Sequence, residues 1–187
     1  MSTDQFTVSK PPSKLSSGFT LIEMMVVIMI VGILASLAAP SFTNAFDRYR
    51  VSSAVDEFNT TLQFARVEAI RSGRQVVIRR NVGCPVGNWG CGWTVFQDLN
   101  ANLTQDGDVV TGNEPTIRTI DVQPNVSITS NTPTPDTIAI NNFGQTPNAN
   151  RTMRFGPIGN ATSVGCTSVT ISIGLRLRNT RGAGECP

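Results

Sequence analysis

The stretch TISIGLRLRNTRGAGECP near the carboxy terminus carries three arginines close together, Arg176, Arg178 and Arg181. Guanidinium groups grip phosphate in a planar, two-pronged way, so the chemistry on offer is anion binding. Contacts of this type position a protein on DNA without reading its sequence. If the stretch is one strand, alternation puts Ile171, Ile173, Leu175 and Leu177 on one face. Ser172, Gly174, Arg176 and Arg178 then share the other, with the two arginines about 7 Å apart. Arginines on an edge strand also serve simply to stop strands pairing between molecules. The residues alone leave both roles open.

Other chemistry is thinly represented. The segment DLNANLTQDGD places Asp98, Asn100 and Asn102 at the alternate spacing of a calcium loop, but Leu103 stands where that loop needs glycine and Val109 where it needs a bidentate acid. It reads as a polar hairpin loop. Histidine is absent, which removes the commonest general base and metal ligand. No nucleophile constellation and no usable carboxylate pair is present, so the expectation is a non-enzyme with no cofactor, no metal and no small-molecule substrate.

The 187 residues suffice for one domain and a membrane segment. Their net charge of +2 hides a pattern, since lysine occurs only at Lys10 and Lys14. Between residues 81 and 136, Arg118 stands against Asp98, Asp106, Asp108, Glu114, Asp121 and Asp136. From 137 onward Arg151, Arg154, Arg176, Arg178 and Arg181 stand against Glu185 alone. A basic end after an acidic middle is the asymmetry that points to an anionic partner.

These groups must be carried by a few elements. Residues 19–39, FTLIEMMVVIMIVGILASLAA, are almost continuously apolar, and about 20 helical residues cross a hydrocarbon core of roughly 30 Å. Lys10 and Lys14 precede the run, which keeps the amino terminus cytoplasmic and sends the rest outward. A cleaved signal peptide is the alternative, but its apolar core is shorter and carries no acid. Glu23 is such an acid, and in a spanning helix it costs roughly 2.5–3.5 kcal/mol. It needs either a cation or a position near the interface, to which it can snorkel.

Pro40 is expected to kink or loosen the helix beyond the span. Over residues 40–73, Phe42, Ala45, Tyr49, Phe58, Leu62, Ala65 and Ala69 recur mainly at three- and four-residue spacing, which predicts an amphipathic helix with one buried stripe. Residues 74–187 then give short β signals: RQVVIRR, GWTVFQ, PTIRTIDV, VSIT, TIAI, TMRFGP and SVTISIGLRLR. A long helix packed on antiparallel sheet, an α+β fold, is the expected architecture.

The sequence Gly-Phe-Thr-Leu-Ile-Glu, followed by apolar residues and Pro40, resembles the class III leader of type IV pilins and type II secretion pseudopilins, with Gly18, Phe19, Glu23 and Pro40 at the family's relative positions. GWTVFQDLN resembles a segment of the GspH/FimT branch, where it is structural. The resemblance implies a leader over residues 1–18, cut by the prepilin peptidase between Gly18 and Phe19, and N-methylation of Phe19. It implies a single span in the inner membrane, a periplasmic pilin domain, and assembly with other pilins or pseudopilins. Glu23 would then meet the new amine of a neighbouring subunit, which favours leaving lipid for a filament. The tail resembles the Gly-Arg-x-Arg element of FimT proteins, minor pilins implicated in DNA uptake, but here reads Gly-Leu-Arg-Leu-Arg. The alternative role is a pseudopilin near the tip of a type II secretion filament.

Export to an oxidising compartment argues for disulfides among Cys84, Cys91, Cys166 and Cys186. Four cysteines allow three pairings; the expectation is Cys84–Cys91 and Cys166–Cys186, with a zinc site the weaker alternative.

Overall fold

A computed structural model describes residues 18–107, 113–131, 136–147, 151–159 and 165–187, without the side chains of 37–41 and 183. Most of the expected leader, residues 1–17, lies outside the described residues. The chain divides into two compact units, Met1–Pro40 and Ser41–Pro187.

A single helical element, α1 (Leu21–Ser72), is shared between the units. In the first unit, Thr20 precedes the helix and its Oγ1 accepts a hydrogen bond from the Glu23 backbone N–H at 3.2 Å. That is an N-cap, which satisfies one of the helix's orphan donors. Every described side chain from Leu21 to Ser36 is exposed. Among the described residues no helix is long and apolar enough to cross a membrane; the expected span over 19–39 runs into side chains outside the described set. α1 runs through Pro40, where the sequence suggests a kink or loosening, and the boundary between the units falls there.

In the second unit, α1 buries Val51, Ala54, Val55, Phe58, Leu62, Ala65 and Ala69. The expected stripe therefore holds from Phe58 onward but not before it. Phe42, Ala45 and Tyr49 are exposed. The reason is phase: the nine residues from Tyr49 to Phe58 make about two and a half turns, which puts the two side chains on opposite sides of the helix.

Eight strands form two antiparallel four-stranded sheets. The first is ordered β3 (Thr116–Ile120), β2 (Trp93–Asp98), β1 (Gln75–Arg80), β5 (Thr137–Ile140). The second is ordered β4 (Val126–Ser130), β6 (Arg151–Pro157), β7 (Thr167–Ile171), β8 (Leu177–Arg181). One core serves α1 and both sheets. At its centre, Phe58 meets Trp93 and Phe155 at 5.5 Å and Trp89 at 6.2 Å, each edge to face. Edge-to-face aromatic pairs add about 0.5–1.5 kcal/mol beyond their area burial. The Trp93 indole N–H donates to Thr61 Oγ1 at 3.2 Å, so its polar atom is satisfied inside the core. Gly92, at φ +91°, turns the chain into β2; a Cβ there would come within 2.2 Å of the Ile120 carbonyl. Arg151 ties the sheets together: it is buried and its Nη1 donates to the Thr137 carbonyl of β5. Burial lowers its pKa to about 10.

Candidate functional site

The carboxy-terminal stretch is a hairpin rather than one strand. β7 ends at Ile171, β8 begins at Leu177, and the two pair antiparallel, with Ile171 opposite Leu177 and Thr167 opposite Arg181. The turn closes through the Ser172 N–H donating to the Arg176 carbonyl at 3.1 Å and the Leu175 N–H donating to the Ser172 carbonyl at 2.8 Å. Leu175 adopts φ +56° and is buried, while Ile173 is exposed. Turning costs Leu175 some backbone strain, which its burial in the core offsets.

This corrects the expected geometry of the arginines. Arg176 sits in the turn, with its backbone N–H donating to Ser172 Oγ at 3.1 Å. Arg178 lies in β8 opposite Thr170, which in turn lies opposite Thr152 of β6; the Thr152 and Thr170 hydroxyls are hydrogen-bonded at 3.3 Å. Arg181, three residues on from Arg178, points to the opposite face of the strand. All three arginines are exposed, but they do not form one stripe. On its own face Arg178 has the exposed Arg154 two strands away, opposite Ser168. Arg181 instead joins Arg48, Tyr49 and Ser52 of α1 around a cleft. Arg48 and Arg154 were missed because register and helix phase, not sequence proximity, bring them there.

Cys166 and Cys186 are bonded, as expected, with a sequence separation of 20. Cys166 directly precedes β7 and Cys186 follows β8, so the bond closes the open end of the hairpin. The second expected bond is not formed: Cys84 and Cys91 are free thiols. The loop between them is held by other means. Arg80 pairs through Nε and Nη2 with the Asp136 carboxylate, and its Nη1 donates to the Cys84 carbonyl. Asn88 bridges to Thr129, and the Trp89 N–H donates to the Ile128 carbonyl at 2.8 Å. Burial first, then a hydrogen bond with Cys91, pushes the Cys84 thiol up to about 11. The Arg80 guanidinium holds the Asp136 carboxyl below its usual range.

Among the described residues of the segment that follows β2, the carboxylates of Asp98, Asp106 and Glu114 are spent on internal hydrogen bonds, while Asp108 and Val109 lie outside the described residues. Asp98 accepts the N–H groups of Asn102 and Leu103, and Glu114 accepts those of Leu99 and Asp106. Asn100 and Asn102 donate their side-chain amides to Asp106 and so hold its carboxyl below the usual range. Among the described residues no cluster of three or more His, Cys, Asp or Glu could hold a metal ion. Gly18 and Phe19 precede the helix, Phe19 is exposed, and Glu23 lies in the first turn.

A long helix whose second half packs on antiparallel sheets defines a type IV pilin-like, α+β protein. The family model for the type II transport protein GspH matches residues 54–174, and the chain belongs to that family. A second model, the prokaryotic N-terminal methylation motif, matches residues 13–39. A fimbrial protein of Pseudomonas aeruginosa is 42% identical over 64 residues, covering 34% of this chain and 41% of that one. The type IV major fimbrial protein FimA of Dichelobacter nodosus is 34% identical over 102 residues, covering 54% of each chain. The chain thus spans between 41% and 54% of the length of these two relatives. The crystal structure of the type IV minor pilin FimU of Pseudomonas aeruginosa superposes with a TM-score of 0.56 over 75% of this chain and 94% of that one. Its 20% identity bears on the fold alone.

Proposed function

We propose that this protein is a minor pilin or pseudopilin that is cut between Gly18 and Phe19, methylated on Phe19, held in the inner membrane by residues 19–39, and assembled through Glu23 into a filament. The observation that carries this reading is the methylation-motif match over residues 13–39 joined to the GspH match over 54–174. Residues 1–18 are then the leader and the domain after Pro40 lies in the periplasm. The subunit's partners are other pilins or pseudopilins and the prepilin peptidase; the role is structural rather than enzymatic. Mass spectrometry of the mature protein from sheared filaments tests it. An amino terminus at methylated Phe19 is expected, and an uncut chain, or none in filaments, would sink the reading.

We further propose that the exposed Arg176, Arg178 and Arg181 contact DNA phosphates without sequence preference. Each contact made should add about −0.9 to the slope of log affinity against log salt on duplex DNA. A mobility-shift assay decides it: the triple arginine-to-alanine variant should lose binding, and undiminished binding places the DNA site elsewhere. The GspH family description favours a second reading, a pseudopilin of type II secretion. There, deletion abolishes exoprotein release and leaves transformation intact.

A further inference from the structure

At the start of the second unit, α1 turns its aromatic residues outward: Phe42, Phe46 and Tyr49 are 62%, 60% and 72% exposed. Spaced by four and three residues, they share one face. Beside Tyr49, the residues Arg48 and Ser52 of α1, with Gly165, Thr167 and Arg181 at the end of the β7–β8 hairpin, line a cleft of about 480 Å³. Neither Arg48 nor Arg181 makes an ion pair among the described residues, whereas Arg50, Arg71, Arg80 and Arg118 all do.

Two unneutralised guanidinium groups at one cleft, with Ser52 and Thr167 among its lining residues, make a receptor for an anion. What surrounds them selects the kind of anion. Phenylalanine, tyrosine and arginine together are the residues enriched at the cores of protein–protein interfaces. A free anion needs no such apolar surface. A carboxylate carried on a protein uses both parts, the rings against its apolar neighbours and the arginines against its charge.

We propose that this cleft docks a neighbouring pilin-type subunit, which seats an aspartate or glutamate side chain against Arg48, Arg181 and Tyr49. The proposal rests on the reading of the chain as a filament subunit. It adds to the DNA contact proposed for Arg181 a task in assembly that Arg178, whose side chain leaves the other face of the same strand, does not share. Arg178 is therefore the internal control.

The test uses the full-length protein in the cells that make it, with the subunit quantified by immunoblot in sheared filaments and in membranes. The Arg48→Glu/Arg181→Glu pair should lower the filament-to-membrane ratio by at least about tenfold, because it sets like charges against the incoming acid. Arg178→Glu should leave the ratio within about twofold. If the glutamate pair melts early in purified form, Arg48→Gln/Arg181→Gln decides instead, since it removes charge and keeps bulk. A photoreactive benzoylphenylalanine in place of Ser52 should crosslink to a pilin-type subunit through a peptide holding Asp or Glu. Wild-type incorporation by the charge variants overturns the proposal, as does an adduct found only on lipid, nucleic acid or an unrelated protein. Wild type missing from filaments sinks the filament reading and the proposal with it.

Discussion

From Leu21 to Ser36 every described residue of α1 is exposed, and most are Ile, Val, Leu or Met. From Val51 to Ala69 the same element buries a side chain every three or four residues beneath two sheets. The composition of the two stretches explains the contrast. The first is apolar all round, so no single face could satisfy it; the second has one apolar stripe and a polar remainder, which suits a half-buried helix. At about 25 cal/mol for each Å² of apolar surface, leaving the first stretch in water costs far more than a folded domain has to spare. Among the described residues the first stretch has no side chain packed over it, whereas the second lies against the two sheets.

The contrast can be broken most forcefully at the centre of the domain. Phe58→Ala removes the ring shared by Trp89, Trp93 and Phe155 and should cost about 3–5 kcal/mol. Urea unfolding followed by tryptophan fluorescence would show it, and a midpoint near wild type would mean that the core is organised otherwise. Next comes Cys166→Ser/Cys186→Ser, which frees the hairpin end. For a loop of this length the loss should be about 3 kcal/mol, seen as a lower denaturation midpoint matching that of reduced wild type.

A smaller effect is expected at Arg80. Arg80→Ala leaves the Asp136 carboxylate without its guanidinium and should cost about 1–3 kcal/mol at neutral pH. The sign with pH follows from linkage. Because the folded-state pKa of Asp136 lies below its unfolded value, the contribution is present above the ordinary aspartate range and is lost as pH falls through the lowered value. The gap between wild type and Arg80→Ala should therefore close in acid; a gap that persists there would exclude the ion pair as its cause. At the far end of the scale, Glu23→Val should leave the melting of the second unit within about 0.5 kcal/mol. The variant should still insert and be cleaved, yet be missing from sheared filaments. Normal incorporation would remove Glu23 from the account of assembly.

Much of this was legible in the sequence. Six of the seven strand-like segments each fall on one strand, because β-branched runs bounded by Gly, Pro and Asn leave few alternatives. The stripe from Phe58 to Ala69 and the Cys166–Cys186 bond were readable too. Three features were not. SVTISIGLRLR alternates perfectly on paper, yet the chain reverses within it at Leu175, a residue with no turn preference that gains burial by adopting positive φ. Aromatic spacing carried the helical stripe back to Phe42, although the gap before Phe58 reverses the face. Cys84 and Cys91 invite pairing, but the loop between them already has Arg80, Asp136 and Trp89 to hold it. In each case a tertiary contact overrode a local pattern. The candidate site suffered most, since its arginines are sorted by register and helix phase, which linear proximity does not encode.

The Thr20 cap also decides where the helix stops. Since α1 begins at Leu21, the Gly18–Phe19 bond lies in non-helical chain. If the proposed cut falls between Gly18 and Phe19, the enzyme that makes it would meet non-helical backbone there without first unwinding a turn. On that proposal, weakening the Thr20 cap changes how the chain is presented for the cut even with Gly18 and Phe19 unchanged.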